Sequence, residues 1–197
     1  MRIAAASVLA VFAIIAPVHA QQPMADDVFG LQVGAPPSLP SCAVPDGSGG
    51  TRWDLSRPCL TDIDGENDRR LGDWRLSLPQ GEEPEWFEEA YARKAPDGAV
   101  DSVLIRAVRG ASDQAVMAAL TKKYGKPSFL ASRTAHNGFG AKLEATVAQW
   151  RRKSGAEVIY VGALDKAEYS VIRVLSKSAS KREDDERKRT GSKRREL

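Results

Sequence analysis

The stretch GASDQAVMAALTKKYGKP, from Gly110 to Pro127, contains the signals of one complete helix. Ser112 stands where its side chain can cap the free amide groups of a first turn, and Asp113 places negative charge at the positive end of the helix dipole. Gly125 suits the left-handed residue that ends a helix, and Pro127 prevents continuation. The apolar residues that share one face at helical spacing are Val116, Met117, Leu120 and Tyr124. The stretch therefore predicts a helix that packs on a core along this face.

The Gly-Lys pair at the end of this stretch does not fit a phosphate-binding loop. Such a loop needs a glycine five residues before Gly125, where this chain has Leu120. The pair also ends a helix, whereas a phosphate-binding loop precedes one. The helix is therefore predicted to be structural.

Extended segments flank this helix on both sides. Residues 85–94 and 99–109 are two runs joined by Pro96-Asp97-Gly98, a sequence that favours a tight turn, and they predict a β-hairpin. A short helix at residues 85–94 is the alternative. After the helix, residues 127–132 and the segments KLEATVAQWRR, AEVIYVGAL and EYSVIRVLS predict an antiparallel meander.

The order of strands, helix and further strands predicts an α+β fold, an antiparallel sheet with one main helix packed on one side. A single domain is expected over residues 29–176. Its first part, residues 29–80, is expected to be an irregular segment closed by a disulfide, with short strands at residues 29–33 and 75–78. The hairpin, the helix and the meander occupy residues 85–176. Residues 21–28 are predicted to form a mobile leader.

Residues 1–20 have the composition of a secretory signal peptide. Met1-Arg2 precede an almost unbroken apolar run, and Val18-His19-Ala20 supplies small residues at the two positions that a signal peptidase recognises. A membrane anchor is the alternative, but an apolar run of about 14 residues is shorter than the roughly 20 that a spanning helix needs. No later run is long and apolar enough to span. The sequence therefore predicts cleavage before Gln21 and a periplasmic or secreted protein.

The two cysteines of the chain agree with export. Cys42 and Cys59 lie close together in a segment rich in proline and glycine, and an oxidising compartment favours a disulfide between them. A redox pair would hold its thiols two residues apart at a helix start, which this spacing does not allow. Zinc would need four ligands, and residues 21–197 contain one histidine, His136. We expect a structural disulfide.

The end of the chain carries most of its positive charge. Residues 177–197 contain nine Lys or Arg and five Asp or Glu, whereas residues 21–176 contain 19 and 21. Leu197 is the one large apolar side chain of this tail, so the tail is predicted to be disordered, with at most a transient helix held by Glu–Arg pairs. The alternative function for it is contact with an anionic surface, such as lipid head groups, lipopolysaccharide or nucleic acid.

One acidic segment has the residue types of a metal site. In TDIDGENDRRLGD, Asp62, Asp64, Glu66 and Asp73 fall at positions 1, 3, 5 and 12 of a calcium-binding loop. Gly65 stands at position 4, whereas a calcium-binding loop needs its glycine at position 6, and the last ligand is Asp rather than Glu. A solvated acidic loop is therefore the preferred interpretation, with no metal or cofactor expected. The alternative is a calcium site or a hydrolase that uses these carboxylates.

Two further features have chemical interest. His136 lies in the polar segment SRTAHNGFGAK and has the pKa range of a general base, but no activated nucleophile accompanies it, so an exposed loop histidine is preferred. Trp86 and Phe87 are flanked by acidic residues. We expect one of these two rings to be exposed and to mark a surface for a partner.

A helix that ends in LTKKYGKP, followed by strands with a Trp near the end of one, resembles the repeat of small exported bacterial proteins of the SmpA/OmlA (outer-membrane assembly lipoprotein) and beta-lactamase-inhibitor type. The resemblance covers residues 110–175, and its specific residues are Gly110, Leu120, Gly125 and Pro127. The segment FGLQVGAPPSLPSC also resembles the start of secreted proteobacterial proteins with one disulfide. The chain departs from the assembly lipoproteins because it has no lipidated cysteine. The resemblance implies a non-enzymatic module that binds another periplasmic or envelope protein.

Overall fold

An eight-stranded antiparallel sheet forms the body of the protein. The computed structural model describes residues 26–63, 71–136, 140–163 and 169–193. In spatial order the sheet contains β5 (Cys59–Asp62), β6 (Trp74–Ser77), β7 (Phe87–Lys94), β8 (Val100–Ala107), β12 (Val171–Leu175), β11 (Glu157–Val161), β10 (Lys142–Arg151) and β9 (Phe129–His136). The other elements are two short ribbons, β1 (Asp27–Val28) with β2 (Leu31–Gln32) and β3 (Ala43–Pro45) with β4 (Thr51–Trp53), and two helices, α1 (Asp113–Tyr124) and α2 (Lys177–Lys193).

Helix α1 confirms the prediction made from Gly110 to Pro127. The Ser112 hydroxyl accepts a hydrogen bond from the Gln114 amide at 3.2 Å. Gly125 ends the helix with a φ of 82° and a ψ of −164°, so its φ is positive as predicted but its conformation is extended rather than left-handed helical. The stripe of apolar side chains lies on the core, where the buried residues are Val116, Leu120 and Tyr124. Met117 is partly buried against the same core.

The predicted hairpin and meander are also confirmed. β7 and β8 pair antiparallel, so the helical alternative for residues 85–94 is wrong. Their turn places Gly98 at a φ of +87°, a conformation that glycine adopts at little cost. The neighbours β9, β10, β11 and β12 pair in sequence order, each antiparallel to the next.

The amino-terminal residues differ from the prediction of a mobile leader and one short strand. The chain forms the β1–β2 ribbon instead, and it turns at Phe29 and Gly30, whose φ angles are 52° and 88°. Val28 and Leu31 are buried in the core as a result. The alternation of Phe29, Leu31 and Val33 predicted one strand. The ribbon reproduces this pattern in part, because it also brings apolar side chains of this segment onto the core.

The disulfide segment contributes two strands to the main sheet, and one of them, β6, confirms the short strand predicted at residues 75–78. β5 pairs with β6, and β6 pairs with β7. The predicted disulfide between Cys42 and Cys59 is confirmed, with a Cα–Cα distance of 5.0 Å. Alongside β5, the Leu60 amide donates to the Pro40 carbonyl and the Cys42 amide donates to the Leu60 carbonyl, both at 2.9 Å. The disulfide segment therefore covers this edge of the sheet.

The main core lies on one face of the sheet, between the strands, α1 and the amino-terminal ribbon. Side chains alternate between the two faces of a strand, and those on the core face are almost fully buried. They include Leu76, Ala90, Val103, Ile105, Ala148, Trp150, Val158, Tyr160, Ile172 and Val174. The Trp150 indole donates a hydrogen bond to the Gly125 carbonyl at 2.7 Å, which joins the end of α1 to β10.

The tail predicted to be disordered forms helix α2 as far as Lys193, so the fold has two helices rather than one main helix. Glu157 and Arg173 alternate with core residues and so lie on the opposite face of the sheet. α2 contacts this opposite face, where Ser180 donates to Glu157 at 2.8 Å and Arg173 pairs with Glu183. The sheet therefore carries one helix on each face. The composition of the tail does not predict an ordered helix. Contacts with charged side chains on the sheet hold α2 in place.

The predicted signal peptide, residues 1–20, lies outside the described residues. Within the part that is described, neither helix combines the length and the apolar composition needed to cross a membrane. The export prediction therefore depends on the disulfide and on the sequence.

Candidate functional site

The acidic segment does not assemble a site among the residues that the structure describes. Asp62 is exposed on β5 opposite Trp74, and the neighbouring Asp73 accepts a hydrogen bond from the Lys94 amide at 2.6 Å. Asp64 and Glu66 lie outside the described residues. Across the described ranges, no group of three or more His, Cys, Asp or Glu side chains is placed to hold a metal ion. The calcium site and the hydrolase remain predictions.

His136 is the last residue of β9, where its backbone lies opposite Lys142 of β10. The sequence placed it in a loop, and the strand continues farther than the predicted residues 127–132. A role as general base remains a prediction.

Trp86 and Phe87 are both half-buried and pack against the core. The ring of Phe87 meets the ring of Phe29 edge to face at 5.5 Å between centroids. In the described part of the chain, the exposed large apolar side chains are instead Trp53, Leu55, Phe129 and Leu130. Trp53, which lies across a groove from Phe87, is therefore more exposed than the two residues that were predicted to mark a partner surface.

This groove, which we call the Trp53 groove, lies between the disulfide segment and strands β5 to β7. It has a volume of about 370 Å³. Its apolar lining consists of Trp53, Leu55, Leu76, Leu78 and Phe87, and its polar lining consists of Thr61, Arg75, Ser77, Glu83, Glu88 and Glu89. Trp53 is 60% exposed and Leu55 is 49% exposed, so both present apolar surface to solvent at its rim.

The ribbon that carries Trp53 is held by local hydrogen bonds and by the disulfide. Trp53 pairs with Ala43 in the β3–β4 ribbon, and the Asp54 amide donates to the Cys42 carbonyl at 2.9 Å. The Asp46 carboxylate closes the turn of the ribbon by accepting from the Ser48 and Gly50 amides at 2.8 and 2.9 Å. Hydrogen bonds from Ser48, through its side chain and its backbone, lower the pKa of Asp46. The backbone that carries Trp53 is therefore held by contacts within the fold.

Negative charge surrounds the groove. The segment GEEPEWFEE, from Gly81 to Glu89, contains five glutamates and no basic residue. Glu89 is compensated, because it accepts from the Arg106 guanidinium at 2.7 Å and from the Tyr91 hydroxyl at 2.6 Å. Burial, and then the hydrogen bond to Glu89, raise the pKa of Tyr91 to about 12. Glu83 and Glu88 are exposed at the groove and leave it net acidic against Arg75.

A second cluster lies at the start of α1. Asp113 accepts from the Tyr160 hydroxyl at 2.6 Å and from the Thr146 amide at 3.2 Å. Burial, and then the hydrogen bond with Asp113, raise the pKa of Tyr160. A buried phenol with a raised pKa is a poor base or nucleophile at neutral pH. The cluster fastens α1 to β10 and β11, so the sequence signal at Asp113, taken only as helix capping, missed a long-range contact.

No protein-family model matches the chain, and neither does any curated protein or solved structure. The resemblance to the SmpA/OmlA type therefore remains a prediction. The chemistry of the Trp53 groove bears on function, because the groove offers apolar contact area, an exposed aromatic side chain and carboxylate acceptors. These are the features of a binding surface.

Proposed function

We propose that this protein is a non-catalytic binding module of the periplasm or extracellular space, and that the Trp53 groove holds a segment of another exported protein. The exposure of Trp53 in a fixed ribbon is the observation that carries the proposal. Apolar surface rimmed by polar residues is typical of interaction sites, and tryptophan contributes more binding energy than most residues when a partner covers it. The disulfide supports an oxidising compartment.

The lining of the groove defines the chemistry of the partner segment. An apolar side chain of the partner would contact Trp53, Leu55 and Phe87, which together line one groove. Glu83 and Glu88 would attract lysine or arginine next to that side chain, because charge complementarity guides and orients association. The partner segment is therefore an extended stretch with an apolar residue flanked by basic residues.

A peptide array tests this proposal directly. The array samples short peptides with one central Leu, Ile or Phe flanked by Lys or Arg, and matched copies carry Glu at the flanking positions. The full mature chain should bind the basic set and not the acidic set. Binding that ignores the flanking charge, or that is absent from both sets, would contradict the proposal.

Matched variants locate the binding surface. Trp53→Ala should weaken peptide binding by ten-fold or more, since truncation of a central hot-spot residue costs at least about 2 kcal/mol. Phe129→Ala is the control, because Phe129 is similarly exposed but lies on β9 at the other edge of the sheet. Equal effects of the two variants would place the binding surface elsewhere. Glu83→Gln with Glu88→Gln should lower affinity by a few-fold at low salt and by less at high salt.

A further inference from the structure

Three elements bring basic side chains together at one end of the molecule. The Arg152 guanidinium in the turn after β10 donates to the Tyr124 carbonyl at the end of α1, at 2.9 Å. The same turn reaches the start of α2, because a Cβ on Gly155 would lie 2.8 Å from the Lys177 side chain. The end of α1, the β10–β11 turn and the start of α2 therefore form one surface.

The acidic groups on this surface are already neutralised. Asp26 pairs with Arg152 at 3.4 Å, and Asp27 pairs with Lys123 at 3.5 Å. Glu157 is almost fully buried, and it accepts from Gln149 and Ser180 and lies 3.8 Å from Arg151. These three acids offset three cations, so the net positive charge of the surface comes from its remaining lysines.

Four exposed lysines remain, namely Lys122, Lys126, Lys153 and Lys177, and we call this set the basic end. None of the four has an ion pair with a described residue. A recess of about 530 Å³ adjoins them, lined by Asp26, Arg151, Arg152, Lys153 and Ser154. The surface thus combines concentrated positive charge with room for an anionic group.

The helix dipole explains the position of Lys122 but not that of Lys177. Lys122 lies in the last turn of α1, where positive charge stabilises the helix. Lys177 does the opposite, because it begins α2 at the positive end of the helix dipole, and the first turn of α2 contains no acidic residue. A residue that breaks a local rule without a local gain is typical of a functional surface.

We propose that the basic end docks the protein on an anionic lipid surface by attracting the phosphate groups of the lipids. The uncompensated cations are lysines spread over three elements. Lysine is a flexible point charge that suits attraction to a charged surface, whereas a built phosphate site would use the planar fork of arginine. The two arginines of the recess pair instead with Asp26 and Glu157. This inference does not depend on the Trp53 groove.

Vesicle cosedimentation of the full mature chain tests the proposal. The protein should sediment with vesicles of phosphatidylcholine mixed with phosphatidylglycerol, and not with vesicles of phosphatidylcholine alone. Each lysine close to such a surface should contribute about five-fold to the partition coefficient at low salt. Binding should fall as ionic strength rises. Equal sedimentation with both kinds of vesicle would overturn the proposal.

Variants with equal charge change separate the basic end from a general effect of net charge. Lys153→Gln with Lys177→Gln should lower partition about 25-fold. Arg52→Gln with Arg57→Gln removes the same charge from the disulfide segment and should change partition by less than about two-fold. Equal losses would sink the assignment. A loss confined to Arg187→Gln with Lys188→Gln would also sink it, because the contact would then lie along α2. Unchanged melting temperatures show that each variant is folded.

A salt comparison separates a lipid surface from a site for free phosphate. Inorganic phosphate and sodium chloride at equal ionic strength should release the protein from vesicles equally, since both act by screening. Stronger release by phosphate would indicate a built anion site in the recess and would overturn docking by surface charge.

Discussion

Gly162 is the residue whose missing side chain matters most at the junction of α1 and the sheet. A Cβ at this position would lie 2.6 Å from both carboxylate oxygens of Asp113. Those oxygens cannot move away without losing the Tyr160 hydroxyl and the Thr146 amide. A glycine is therefore required here for close approach rather than for an unusual backbone angle.

Gly162→Ala should destabilise the protein by about 1–3 kcal/mol, the range for forcing an extra methyl group into a packed site. Urea unfolding of four proteins measures it: the parent, each single variant, and the double variant with Asp113→Ala. In the Asp113→Ala background the cost of the alanine should fall to a few tenths of a kcal/mol, because the clashing carboxylate is gone. The same cost in both backgrounds would show that Asp113 is not the obstacle.

Tyr91 makes the stability of the protein sensitive to alkaline pH. Its pKa is about 12 in the folded protein, whereas tyrosine in an unfolded chain ionises near pH 10. Above pH 10 the unfolded chain loses this proton while the folded protein keeps it, so stability falls as pH rises from 10 to 12. The contribution is fully present below pH 10.

Urea unfolding at pH 9 to 12 should show a loss of stability across this window, to which Tyr91 contributes at most about 2 kcal/mol because solvent partly screens its hydroxyl. Tyr91→Phe should flatten the decline between pH 10 and 12, although it also removes the hydrogen bond to Glu89. Comparing slopes rather than absolute stabilities removes that second effect. Tyr160, whose pKa is also raised, contributes to the decline in both proteins, so the variant should reduce the slope rather than abolish it. An unchanged slope in Tyr91→Phe would show that Tyr91 does not contribute.

Helix α2 is an element held by polar contacts. It has eleven charged residues among seventeen, and its buried apolar side chain among the described residues is Ala179. Asp101, whose side chain is 7% exposed, pairs with Arg182 and also accepts from Ser176. The helix therefore docks through a buried carboxylate whose charge needs a partner.

Arg182→Ala should loosen the start of α2 and cost about 1–3 kcal/mol, because it leaves the buried Asp101 carboxylate without its cation. Hydrogen exchange of the amides of residues 177–186 should speed up accordingly. Arg187→Ala is the matched control, since Arg187 pairs with Asp184 on the exposed side of the same helix and should cost less than about 0.5 kcal/mol. Similar exchange in both variants would mean that general helix propensity holds α2.

The difference between α1 and α2 explains how much of the fold could be predicted from the sequence. α1 carries its start, buried face and end within eighteen residues, from Gly110 to Pro127, and the β7–β8 hairpin carries its turn between its strands. α2 is ordered by Asp101, 81 residues before Arg182, and no local pattern in the tail contains that partner. Elements whose start, buried face and end are all encoded in a local stretch could be predicted. Elements that are ordered by contacts between distant residues could not.

At the scale of the whole molecule, the disulfide segment both completes the sheet and builds the Trp53 groove. β5 is an edge strand, and residues 40–42 pair with it. The sequence around Trp53 is rich in Gly and Pro and has few apolar neighbours, and in the structure Trp53 ends strand β4 of the β3–β4 ribbon. This composition indicates that Trp53 is exposed. The groove itself also needs β6 and β7, which begin more than twenty residues later in the sequence.

Replacing both cysteines tests the whole arrangement. The double variant Cys42→Ser with Cys59→Ser should lose about 3 kcal/mol of stability in urea unfolding, because the bridge closes a loop with a sequence separation of 17. It should also lower the affinity for basic–apolar peptides, since the Trp53 ribbon loses its fixed attachment to β5.

Trp53→Ala made in both backgrounds separates these two effects. If the disulfide acts on binding through the ribbon, Trp53→Ala should cost much less affinity in the serine background than in the parent. The stability loss should be nearly the same with or without Trp53, because the loop constraint acts on the unfolded chain. A Trp53→Ala affinity loss that is equal in both backgrounds would separate the groove from the disulfide, and the fixed tryptophan would no longer support the binding proposal.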